Sequence, residues 1–165
     1  MKRTVLSLIA LTALVVAAPA FAASQTANLS VTASVTANCT ITTSPVAFGA
    51  YDPVSANAAT NLTANGAVNV ACTKGTPATI DLGNGGNFSA GSRRMGSGSD
   101  FLGYSLFRDA ALTQPWGSGI AGGGTEAYNA ATKAITAVTV YGMVPAGQDV
   151  TVGAYSDTVV ATINY

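Results

Sequence analysis

The chain has 165 residues, the span of one ordinary domain, and its seven basic and seven acidic residues make up only 8% of it and cancel to a formal charge of zero. Such a composition offers no basic face to displace counterions from phosphate, which excludes nucleic acid as a partner. Histidine is absent, which removes together the commonest general base, the commonest metal ligand and the Ser-His-Asp triad.

The first residues read as an address. Lys2 and Arg3 are a basic start, and Val5 to Ala18 is an apolar run broken only by Ser7 and Thr12. Ala20-Phe21-Ala22 then sets small residues at the −3 and −1 positions of a cleavage point. Residues 1–22 are expected to be a signal peptide, since the run falls short of the roughly 20 apolar residues of a membrane span. The mature chain would keep five basic residues, Lys74, Arg93, Arg94, Arg108 and Lys133, against all seven acids. It would be exported and soluble.

From Ala27 to Ile41 the chain alternates without interruption. Ala27, Leu29, Val31, Ala33, Val35, Ala37, Cys39 and Ile41 are apolar, and the residues between them are Asn, Ser or Thr. Period two places successive side chains on opposite faces, so this stretch is predicted to be a long strand. It precedes any local partner, and must pair with a distant part of its own chain or with another molecule. Cys39 and Cys72 are the two cysteines, and an even count in an oxidising compartment reads as one disulfide. Closing that loop is worth roughly 3.5–4 kcal/mol on loop-entropy grounds.

Shorter strands follow, separated by turn clusters. Val46–Tyr51 ends at Asp52-Pro53, Ala67–Cys72 ends before Lys74-Gly75-Thr76-Pro77, and Ala78–Leu82 runs into Gly83-Asn84-Gly85-Gly86-Asn87. That last cluster begins like a dinucleotide fingerprint but lacks its third glycine and a following helix, so it reads as a turn. Gly91–Asp100 is loop-like, at most a weak edge strand, with Arg93-Arg94 as a solvated tip. Phe101–Arg108 is a strand, Trp116 opens a glycine-rich stretch from Gly117 to Gly124, and Ala134–Val144 and Ser156–Tyr165 are strands again. Trp116 is expected to be a rim residue packed on the fold, or else an exposed binding aromatic. No helical pattern is present.

No constellation for catalysis emerges. A Ser–Lys pair would have to use Lys74 or Lys133, both beside turn residues and expected to be solvated charges. The acids are scattered at turns, where Asp bonds its own backbone, and they form no calcium-loop pattern. Asp100 and Asp109 have no local support as a pair. The expectation is a protein that is not an enzyme and takes no cofactor, metal or small-molecule substrate.

Frequent turns, short strands and one disulfide predict an all-β fold, an antiparallel β-sandwich of immunoglobulin-like architecture, with a closed barrel as the alternative. Val31, Val70, Ile80, Leu106, Val138, Val140, Val159 and Ile163 are its expected core. In the last strand Val159, Ala161, Ile163 and Tyr165 share one face. Such a sandwich ordinarily finishes with a further strand beside this one, and here none follows. The fold would then be incomplete, with an apolar groove and an unpaired edge at its final strand. The alternating segment, with Ala27, Leu29, Val31, Ala33 and Val35 on its apolar face, has the pattern to fill the groove of a second molecule by donor-strand complementation. Because donor and acceptor lie at opposite ends, the contact would be head-to-tail and would build an open filament. Low charge fits this, because it removes the usual defence against edge-to-edge strand pairing. The alternative is that residues 27–41 are simply the first strand of a self-complemented secreted sandwich, a coat or carbohydrate- or surface-binding module using Trp116.

Five stretches carry a family resemblance beyond the alternating start: Asn38-Cys39-Thr40-Ile41, Val46–Tyr51, Asn69-Val70-Ala71-Cys72, Tyr104–Ala110 (YxxxRDA) and Tyr155–Tyr165 (ending DTxxxTxxY). In them the sequence resembles the spore coat protein U domain family and, within it, subunits of archaic (Csu-type) chaperone–usher pili. The resemblance implies a donor segment at 23–36 and a sandwich domain at 37–165. It implies folding in the periplasm on a dedicated chaperone, which lends a strand to the groove and holds the strand ending at Tyr165. An outer-membrane usher would then exchange that strand for the donor segment of an identical or related subunit, giving a surface pilus that serves attachment and biofilm formation.

Overall fold

The computed structural model describes Pro19 and residues 21–165. The expected signal peptide therefore lies almost wholly outside the described residues. The chain divides into an N-terminal unit ending at Ser34 and a body, Val35–Tyr165. Residues 21–38 form no strand and are exposed throughout; Leu29, Val31 and Val35 are 87%, 85% and 84% accessible. The long strand expected over 27–41 is thus realised only from Cys39 onward, and Val31 is not a core residue. Alternation assigns faces to a segment, but a ladder also needs a neighbour with free N–H and C=O groups.

The body is a two-sheet antiparallel β-sandwich of immunoglobulin-like architecture. One sheet has five strands, β1 (Cys39–Ser44), β2 (Leu62–Cys72), β7 (Thr136–Val144), β5 (Asp100–Phe107) and β4 (Arg93–Ser97), in that spatial order. The other has three, β6 (Glu126–Asn129), β3 (Pro77–Leu82) and β8 (Ala161–Asn164). Every named pair is antiparallel. Cys39 and Cys72 face each other across the first β1–β2 pair and are bonded, with their Cα atoms 4.1 Å apart.

Period two builds the core. On β2 Val68, Val70 and Cys72 are buried, on β3 Ala78, Ile80 and Leu82, on β5 Leu102, Tyr104 and Leu106, and on β7 Val140 and Val144. Of the expected core, Val70, Ile80, Leu106 and Val140 are buried, while Val138, Val159 and Ile163 pack against the core partly exposed.

Three further expectations need correction. Trp116 is fully buried at the centre of the core, its Nε1 donating to the Ile80 carbonyl at 3.0 Å; it is neither a rim residue nor an exposed aromatic. Arg93 is 2% accessible rather than a solvated tip. Its guanidinium donates to the carbonyls of Leu82 and Gly83 at 2.6–3.0 Å, which offsets the cost of removing the charge from water. Arg94 donates to Asn87 O and lies over the Phe101 ring. Both arginines sit on a regular strand, β4.

Val46–Tyr51 is not a strand. It passes so close over the five-stranded sheet that a Cβ on Gly142 would stand 2.6 Å from Val46 and 2.8 Å from Phe48, and one on Gly66 2.7 Å from Val46. The absent side chains on β2 and β7 make the room. Tyr51 anchors the segment, its hydroxyl donating to Pro145 O and accepting from Gln148 N, both at 2.9 Å.

Candidate functional site

The last strand is held on one side and open on the other. Its approach is fixed at Ser156, which exchanges two backbone hydrogen bonds with Gly96 of β4, at 2.9 and 3.1 Å. Gly83 N then donates to Val160 O at 2.8 Å, and β8 pairs with β3 from Leu82↔Ala161 to Thr79↔Asn164. Since β8 ends the order β6-β3-β8, its other edge has no hydrogen-bonded strand among the described residues. Burial alternates along this stretch, with Tyr155, Asp157, Val159, Ala161 and Ile163 half-buried and the residues between them exposed.

A carboxylate locks this geometry. Asp157 accepts from Gly86 N at 2.8 Å, Asn87 N at 3.2 Å, Asn87 Nδ2 at 3.4 Å and the Tyr104 hydroxyl at 2.6 Å. One side chain therefore ties the final strand to the Gly83–Asn87 loop and to β5. Burial, then the hydrogen bond to Asp157 and its charge, push the Tyr104 phenol well above its ordinary pKa, with Arg93 opposing. Burial also lowers the Arg93 pKa, against the attraction of Tyr104, Asp81 and Asp157.

Beside this strand the two sheets do not close. A cavity of about 400 Å³ is floored by Val68, Leu106 and Val140 and walled by Val46 and Phe48 on one side and Val159 and Ala161 on the other. A second, of about 720 Å³, shares Val46, Phe48, Met95 and Tyr155 with it and continues past Leu102, Val144 and Val150. The two form one apolar groove within the body, with the open edge of the last strand beside it. Its chemistry suits an extended segment that offers apolar side chains on one face and a row of amides to the edge.

Of the residues singled out from the sequence, Val159 and Ala161 line the groove. Ile163 packs against the core from β8, and Tyr165 is 58% accessible. The five residues of the alternating segment are exposed. The sequence reading missed the opposite wall, Val46 and Phe48, and the floor residues Met95, Leu102 and Val144. The signal for the wall was present in the Val46–Tyr51 motif, but it read as a strand. Asp109 serves its own turn, accepting from Thr113 and Gln114. Asp100 accepts from Phe101 N and also from the distant Thr151 N and Tyr155 hydroxyl, so that, like Asp157, it ties separate parts of the chain together and is not the local turn residue expected. Lys74 and Lys133 are exposed.

Comparison with known proteins agrees with this architecture. One chain of the crystal structure of the CsuC–CsuE chaperone–tip adhesion subunit pre-assembly complex, from the archaic chaperone–usher Csu pili of Acinetobacter baumannii, superposes with a TM-score of 0.50 at 22% identity. The match covers 79% of this chain and 40% of that one, so this protein spans less than half of its neighbour's length, and the likeness is one of fold. Protein U of Myxococcus xanthus is 39% identical over 178 aligned positions, covering 99% of this chain and 98% of the relative. The model of the Spore Coat Protein U domain matches residues 25–162, nearly the whole described chain, and the protein belongs to that family.

Proposed function

We propose that this protein is a structural subunit of a chaperone–usher pilus and polymerises by donor-strand exchange, residues 27–35 of one copy filling the groove of the next. The observation that carries the reading is the apolar groove beside an edge strand with a pairing partner on one side only. The exposed alternating segment supplies what such a groove lacks. Leu29, Val31 and Val35 would each gain roughly 1.5–3 kcal/mol on burial, and main-chain bonds to the open edge about 0.5–1.5 kcal/mol apiece. Ordering and association subtract several kcal/mol, leaving a junction that is slow to release because the whole strand must leave together.

The fold shared with a chain from a chaperone–usher pilus complex supports the same reading. On it, a periplasmic chaperone fills the groove first, an outer-membrane usher directs the exchange, and the export signal at 1–22 brings the chain into the periplasm on its way to a surface pilus serving attachment and biofilm formation. Residues 23–36 are the donor and 37–165 the acceptor domain. The competing picture, a self-complemented surface-binding module, relied on Trp116 as its contact aromatic, and that indole is buried.

The test is gel mobility of the exported protein with and without boiling. Ladders that resist SDS and collapse to one band on heating are expected of the full chain and should vanish when residues 23–36 are deleted. Normal assembly by the truncated chain would overturn the proposal.

A further inference from the structure

The segment just before β1 is pinned. The Thr73 hydroxyl donates to Thr36 O at 3.1 Å and accepts from Asn38 N at 3.2 Å, while Thr73 N donates to Asn38 O at 2.9 Å. Next to these bonds stands the Cys39–Cys72 disulfide, which fixes the neighbouring residue of each strand. A hydroxyl has one proton and two lone pairs, and here it joins two backbone groups that no strand ladder reaches. Thr73 lies just beyond the end of β2, and its side chain contributes nothing to the core.

We infer that Thr73 is a junction clamp that sets the stiffness of the connection between neighbouring subunits; the inference rests on the donor-strand reading. The apolar face of the donor segment ends at Val35, and Thr36 is the first residue held by the clamp. No free residue remains between the part of the chain that would enter a neighbour and the part fixed to its own body. A hydrogen-bonded and disulfide-braced exit transmits orientation from one subunit to the next, whereas a free linker of even a few residues would swivel. The clamp therefore acts on the shape of the polymer and not on whether it forms.

The experiment compares Thr73→Val, which keeps the shape and loses the hydroxyl, with Thr73→Ser, which keeps the hydroxyl. Persistence length is read from electron micrographs of the filaments, with ladders on gels as the measure of assembly. Expected are ladders in all three proteins and filaments at least twofold more flexible in Thr73→Val, with Thr73→Ser like the parent. Amide exchange at Asn38 should quicken severalfold in Thr73→Val and not in Thr73→Ser. Ladders with unchanged stiffness in Thr73→Val overturn the clamp alone, as does loss of ladders in that variant, which would make Thr73 a residue needed for folding or assembly. Absence of ladders from the parent overturns the donor-strand reading and this inference with it.

Discussion

The run from Ala27 to Ala37 and strand β7 share one local pattern and meet opposite fates. Both have period two: the first sets apolar residues against Asn, Ser and Thr, and β7 sets Val138, Val140, Gly142 and Val144 against Ala137, Thr139, Tyr141 and Met143. On β7 the alternation ends in a closed environment, paired with β2 on one side and β5 on the other, with Val140 4% and Val144 0% accessible. In the N-terminal segment Leu29, Val31 and Val35 are left almost wholly in water. Periodicity thus encodes a capacity to be a strand, and the partner that realises it is decided elsewhere. In β7 the partner lies in the same chain; for residues 27–35 the proposal places it in another copy.

A charge on each run breaks the comparison most sharply. Val140→Asp buries an unpaired carboxylate in the core and should destabilise the fold by more than about 4 kcal/mol, leaving no cooperative urea transition. Val31→Asp should leave the urea midpoint of the unassembled chain within about 0.5 kcal/mol of the parent and abolish the SDS-resistant ladder. Equal effects of the two would mean that the N-terminal segment already belongs to its own fold. Next in size is the brace where segment and body meet. Replacing Cys39 and Cys72 together by Ser should cost about 2–5 kcal/mol in chemical denaturation, since the unfolded chain regains the freedom of the closed loop.

Which parts of the molecule the sequence could disclose follows from the same distinction. β2, β3, β5 and β7 were legible because their alternation, turn signals and burial coincide, and the disulfide because two cysteines in an exported chain leave one pairing. Val46–Tyr51 carries strand chemistry but lies over a glycine pair, and nothing local in those six residues reports Gly66 and Gly142 from β2 and β7. Arg93 and Trp116 misled for a related reason. Each sits among glycines, serines or prolines that read as loop, and each is buried where it donates to a carbonyl of β3, Arg93 to Leu82 and Trp116 to Ile80, a partner its own neighbours do not report. β6, just past the glycine-rich stretch and only four residues long, is too short to carry a period. Of the groove, the wall on the last strand could be foreseen from Val159 and Ala161; the opposite wall needed the tertiary structure.

The glycine pair sharpens the contrast between a closed face and an open one. Gly142→Ala would put a methyl group 2.6 Å from Val46 and 2.8 Å from Phe48, the residues that wall the groove. Overpacking of this kind costs about 1–3 kcal/mol, read as a lowered urea midpoint. Because the strain falls on the wall, assembly should slow as well. A stability loss with unaltered assembly would show that the wall relaxes away from the groove.

The smallest expected effect concerns the lock on the open strand. The folded state holds the Tyr104 phenol neutral against Asp157, raising its pKa above that of an unfolded tyrosine. A group whose folded pKa is raised contributes stability that is fully present below the unfolded value, about 10, and is lost as the pH climbs from there toward the folded value. The unfolded chain loses that proton first, so stability should fall with a steeper slope above about pH 10 than below it. Tyr104→Phe removes both the proton and the bond. It should lower the urea midpoint at neutral pH by about 1 kcal/mol and flatten this tyrosine's share of the alkaline slope. If the slope survives the substitution unchanged, Tyr104 is not the group responsible, and the hold of Asp157 on the last strand rests on the Gly86 and Asn87 amides alone.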